Sequence, residues 1–136
     1  MAALSTMLLA ATAVQSIGSI LGGIQAQKTA KENARIQMEN AQAEAKNKAK
    51  EVERLRSLQQ AQYGASGVTL DGTPLMVLDN TTKEGDEEVN DILRRGSNNA
   101  KVLRMEGRNA MMSGLFNAAG TAGGNIYTGY QQGVFS

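Results

Sequence analysis

Carboxylates are the side chains of this sequence best suited to chemistry. They crowd between Glu84 and Asp91, where Glu84, Asp86, Glu87, Glu88 and Asp91 follow one another closely. Such a run could gather a divalent cation, but it lacks the ligand spacing of a calcium loop. Acidic residues beside Gly85 equally suit a solvated helix start, where they meet the positive end of the helix dipole. Glycoside hydrolysis needs two carboxylates set across a cleft, and one short run implies no cleft. The glycines Gly64, Gly67 and Gly72 would suit a phosphate cradle only if Gly-Lys-Ser/Thr followed. Thr73 and Pro74 follow instead.

Cysteine and histidine are both absent. Their absence removes disulfides, thiolate nucleophiles, Cys-ligated zinc and the usual general base near neutral pH. The reading is therefore not an enzyme, with no cofactor and no metal site. A net charge of +1 gives no bulk electrostatic case for nucleic acid.

The elements that would position these residues follow from composition. Alanine supplies much of the 41% apolar content, and only five residues of the 136 are aromatic: Tyr63, Phe116, Tyr127, Tyr130 and Phe135. That mix is poor in large side chains for an ordinary globule and suits long helices packed closely. Charge is confined to the stretch from Lys28 to Arg108, leaving an uncharged end on either side. The reading is one elongated helical domain over 1–136. It divides into an uncharged apolar end (1–27), a charged helix (28–62), a glycine-rich loop (63–73), a charged helical arm (74–108) and an uncharged glycine-rich end (109–136).

No proline interrupts the chain before Pro74, and Ala, Gln, Glu, Lys and Arg dominate 25–62. These are strong helix formers. Apolar spacing through Ile17, Ile20, Ile24, Ala34, Met38, Ala41, Ala45, Val52 and Leu55, interrupted by Lys48, predicts one helix over about 4–62. A run beyond 25 residues points to a coiled coil, a membrane span or a repeat. Leu4–Ile24 has the length of a bilayer span, ~20 residues, but it is punctuated by polar residues. Ala11-Thr12-Ala13 resembles a signal-peptide cleavage site, yet no Lys or Arg precedes the apolar run. The expectation is a helix that is buried or inserts into membrane conditionally. Its candidate membrane- or partner-facing residues are Leu8, Leu9, Ile17, Ile20, Leu21 and Ile24, with Leu115 and Phe116 from the other end.

The loop ends at Thr73 and Pro74, a good N-cap and first helical position. A second helix is expected over about 74–118, broken near 80–86 around Gly85. Within it Val89, Leu93, Gly96, Ala100, Leu103, Gly107, Ala110 and Gly114 alternate steps of four and three, a heptad packing seam. Five of these eight are Gly or Ala, so a neighbouring helix can approach closely. Gly18-x-x-x-Gly22, Gly120-x-x-x-Gly124 and Gly129-x-x-x-Gly133 repeat the style. The fold class is thus all-α: a long antiparallel hairpin, expected to assemble side by side into a homo-oligomer because one such hairpin buries little large apolar surface.

The stretch from Gln62 to Asp79 carries Tyr63, Gly64, Ser66, Gly67, Gly72, Thr73 and Pro74 and leads into an acidic-then-basic helix. In motif it resembles the small internal virion, or ejection, proteins of short-tailed phages, and the resemblance in organisation covers most of the chain. It departs in lacking the charged tail that larger members carry. The resemblance implies storage in the virion near the portal or tail and release with the genome. It further implies assembly in the host envelope, at the outer membrane, into part of a DNA-translocation channel. Implied partners are further copies, the portal, tail or larger ejection proteins, the envelope membrane, and genomic DNA in transient non-specific contact. The alternative is a purely structural component of a portal or tail ring with no membrane step.

Overall fold

The structure, a computed structural model, describes residues 2–131, with side chains described from 17 to 124. Two helices, α1 (Ala2–Ala65) and α2 (Thr73–Gln131), hold 94% of the described residues, and no strand occurs among them. The all-helical expectation holds, and so does the single main break between 62 and 74.

Helix α1 ends three residues later than expected, and its ending is readable in hydrogen bonds. The Val68 amide donates to the Tyr63 carbonyl at 3.2 Å and the Gly67 amide to the Gly64 carbonyl at 3.3 Å. This crossed pair closes a helix around a left-handed residue, and Gly67 sits there at φ 68°. Gly72, at φ 79°, carries the carbonyl that accepts the first bond of α2, from the Met76 amide at 3.1 Å. The cap therefore lies at Gly72, one residue before the expected Thr73, which is the first residue of the helix.

The break expected near 80–86 is absent, and α2 runs on past 118 to Gln131. Gly85 is the one strong helix breaker in that stretch, and glycine costs only about 1 kcal/mol in a helix interior. Packing offsets that cost: the space a Gly85 side chain would fill is taken by Val52 from α1.

Residues group into two compact units, Arg35–Lys101 and the pair of segments up to Ala34 and from Val102 onward. In the first, Ala41, Ala45 and Ile92 are buried with Val89 packed against them, and Leu78 is buried nearer the loop. Gly85 lies over Val52 and Gly96 over Ala41. Polar bonds cross between the helices at the flanks. Thr81 donates to the Gln59 side-chain oxygen at 3.1 Å, and Lys48 reaches Glu88 at 3.0 Å. Lys48, which interrupts the apolar pattern of α1, is thus a half-buried cation with a partner on the facing helix.

In the second unit Ala34 and Ala118 are buried and Gly107 lies over Ala30. A side-chain carbon added at Gly114 would stand 2.6 Å from the Ser19 carbonyl oxygen, and one at Gly23 would stand 3.1 Å from the Met111 Cα. Each unit is antiparallel. Within the first, Gly85 and Gly96 are eleven residues apart, and so are their partners Val52 and Ala41, in the opposite direction. Eleven residues close three turns at about 3.67 residues each, nearer the natural helix than a heptad's 3.5.

Candidate functional site: the outward apolar faces

Small residues line the helix interface, so the large ones must lie elsewhere. Among the described residues, every buried hydrophobic residue except Leu78 and Ile92 is alanine. No large side chain among the described residues is fully enclosed. Ile17, Leu21, Ile24, Ile36, Leu55, Leu58, Met76, Val102, Met105, Met112 and Phe116 all show substantial surface to solvent, Phe116 as much as 70%. Burial of an aliphatic or aromatic side chain contributes ~1.5–3 kcal/mol. Here that contribution is left unmade within the chain, and the exposed side chains form the surface best fitted to a partner.

The residues of the expected packing seam differ in burial. Gly96, Ala100 and Gly107 are buried, and Val89, Leu103, Ala110 and Gly114 are half-buried. Leu93 is exposed, and Ile92 beside it is buried at 6% exposure. From Ile92 the buried face steps by four to Gly96 and by four again to Ala100. Two fours in succession are what an eleven-residue repeat requires and what a strict heptad forbids. The seam also faces α1 of the same chain, so it is spent on the fold.

Glycine spacing misleads at three places. A Cβ added at Gly18, Gly22, Gly120 or Gly124 would meet nothing within 4 Å, so this spacing marks no close helix approach there. Gly23, beside them, is the close-packed one. Gly85 lies on the seam although nothing in the heptad reading includes it. The Gly129–Gly133 pair falls outside the residues whose side chains are described.

Among the candidate partner-facing residues, Ile17, Leu21, Ile24, Leu115 and Phe116 are exposed and Ile20 is half-buried. The side chains of Leu8 and Leu9 lie outside those described. In the loop, Gly64 and Ser66 are exposed, Tyr63 and Pro74 half-buried, and the Ser66 hydroxyl donates to the Gln62 carbonyl at 2.8 Å. Loop residues thus terminate one helix and start the next.

Electrostatics adds one cross-helix device. Hydrogen bonding to Glu88, opposed by partial desolvation and aided by Glu51, holds the Lys48 ammonium above the usual lysine value of 10.5. Of the acidic run, Glu88 bonds Lys48, and Asp91 pairs with Arg94 at 2.8 Å. Among the described residues no three carboxylates converge on a possible metal position. A shallow polar groove beside Gly96, lined by Gln37, Asn40, Glu44, Arg95 and Asn99, exists because Gly96 and Ala41 are small.

Among the described residues, no helix is long and apolar enough to cross a membrane. No family model, curated protein or solved structure matches the chain.

Proposed function

We propose that this chain is a self-assembling helical subunit of the internal, or ejection, class of phage virion protein. In this reading it is stored near the portal or tail, leaves with the genome and helps line a DNA-translocation channel in the host envelope. The observation that supports it best is the inverted distribution of side chains: mainly glycine and alanine between the helices, with Leu78 and Ile92 as the large exceptions, and many Leu, Ile and Met residues and Phe116 outside. A subunit that keeps its large apolar side chains outside is suited to neighbours or lipid. The uncharged ends of the sequence would meet lipid, and the charged middle would face water or DNA.

A second reading is a portal or tail ring component with no membrane step. It is favoured by the want, among the described residues, of any helix able to span a bilayer. Flotation of the purified protein with liposomes separates the two. The channel reading expects it to rise with the vesicles; a protein left wholly in the aqueous fraction supports the ring reading and overturns the channel.

A further inference from the structure

One exposed stripe has an order of its own. Val102, Met105, Asn109, Met112 and Phe116 step by three and four along α2, and all five are exposed. Written as a heptad with Val102, Asn109 and Phe116 at a, the methionines fall at d. Gly107 and Gly114, which pack on α1, fall at f, on the opposite side of the helix. The stripe is therefore open along its length while the far side of the same helix is occupied.

We infer that this stripe pairs with the same stripe of a second copy, in parallel and in register. Asn109 decides against lipid as the occupant. An amide at the middle of an apolar face is costly in hydrocarbon unless it is hydrogen-bonded. In a parallel pair the a residues meet each other, so the Asn109 amide would bond the same amide of the second copy. A single a-position Asn is known to fix register and oligomer state in this way. An antiparallel pair would set Asn109 against a methionine and leave the amide unsatisfied.

Charge agrees with the same arrangement. Glu106 holds the e position beside the stripe, and Lys101, immediately before it, holds g. In parallel pairing g of one helix reaches e of the next heptad on the other, bringing Lys101 to Glu106 of the second copy twice by symmetry. Arg108, the following g residue, would meet Ser113, so no like charges are opposed. Two heptads make a short interface, so pairing should depend on concentration.

This inference deepens the self-assembly in the proposed function but does not rest on its membrane step. Because the chain has no cysteine, single-cysteine variants of the full chain report contacts directly. Met105→Cys and Met112→Cys should each form a disulfide-linked dimer with itself under mild oxidation. Arg104→Cys, exposed but off the stripe, should crosslink at least tenfold more slowly. Asn109→Leu should turn a single oligomeric species into a mixture by light scattering. The inference is overturned if Met105→Cys crosslinks to Phe116→Cys and not to itself, which means antiparallel pairing with Asn109 opposite Met112, or if it crosslinks no faster than Arg104→Cys. It is also overturned if the chain stays monomeric without lipid and binds phosphatidylcholine vesicles, which makes the stripe a lipid face. Oligomers that form without Met105 crosslinking would sink this interface alone. Crosslinking without liposome flotation would sink the channel alone.

Discussion

The methyl group of Ala41 occupies the space that a side chain at Gly96 would need. Glycine at this position is a helix-propensity loss of about 1 kcal/mol, and close approach to α1 offsets it. Replacing it separates the two effects. Gly96→Ala should destabilise the fold, because overpacking costs ~1–3 kcal/mol and exceeds the propensity gain. Gly22→Ala and Gly120→Ala, with open space around them, should stabilise by up to ~1 kcal/mol. Thermal melts followed by circular dichroism would show opposite shifts. Equal shifts at all three sites would mean that glycine on the seam has no packing role.

Gly107→Leu tests the same relationship in the other unit. Leucine favours helix, so helical content should be kept or raised. Ala30 and the Gln27 backbone leave no room for it, so the packing of α2 on α1 should loosen. The chain should then become far more sensitive to proteolysis near Gln27 and Gly107 without losing its helical spectrum. Gly85→Leu, which would meet Val52, should likewise loosen the packing in its own unit while keeping the helical spectrum.

The loop glycines divide by conformation. Gly67 and Gly72 have φ of 68° and 79°, where a side chain costs ~1–2 kcal/mol. Gly67→Ala should lower the melting temperature, and Gly64→Ala, inside α1 and uncrowded, should raise it. A melting temperature unmoved by Gly67→Ala would refute the helix-terminating role given to this residue.

Lys48 and Glu88 give a dependence on pH. Lys48 has a folded value above the ordinary 10.5, so the pair's contribution is present below about pH 10. It is lost as pH rises through the raised folded value. Both side chains keep contact with solvent, and salt should weaken the effect. Lys48→Met should remove the alkaline fall in melting temperature, and an unchanged alkaline limb in the variant would show that the pair contributes nothing.

In the proposed channel reading, the exposed face of α1 is the part that would meet lipid. Ile17 is 56% exposed, and a charge at a helix centre in lipid costs ~2.5–3.5 kcal/mol. Ile17→Lys should therefore cut liposome binding at least tenfold in a flotation assay. Equal flotation of variant and parent would exclude this face from the membrane.

Much of the architecture could be read before the structure. The missing prolines, the helix-forming middle and the Gly-Thr-Pro loop were enough for two long helices with one turn. Finer placement failed for physical reasons. Leu93 fits the alternation of four and three as well as Ile92 fits an eleven-residue repeat, and hydrophobicity does not separate two adjacent aliphatic residues. Gly85 reads as a breaker in isolation because Val52, its partner on α1, is distant in sequence. Gly18 and Gly22 carry the spacing of a packing motif, but Gly23 faces the neighbouring helix, since helix rotation is set by packing along the whole interface. The exposed stripe around Asn109 became visible only when the opposite side of α2 was known to be occupied.

Sedimentation of the full chain without lipid or detergent tests the central claim most directly, that the outward apolar faces exist to meet other copies. The account predicts one oligomeric species at a multiple of 14.4 kDa, its population rising with concentration, and its loss in Phe116→Lys. A single helical species of 14.4 kDa at every concentration would contradict it.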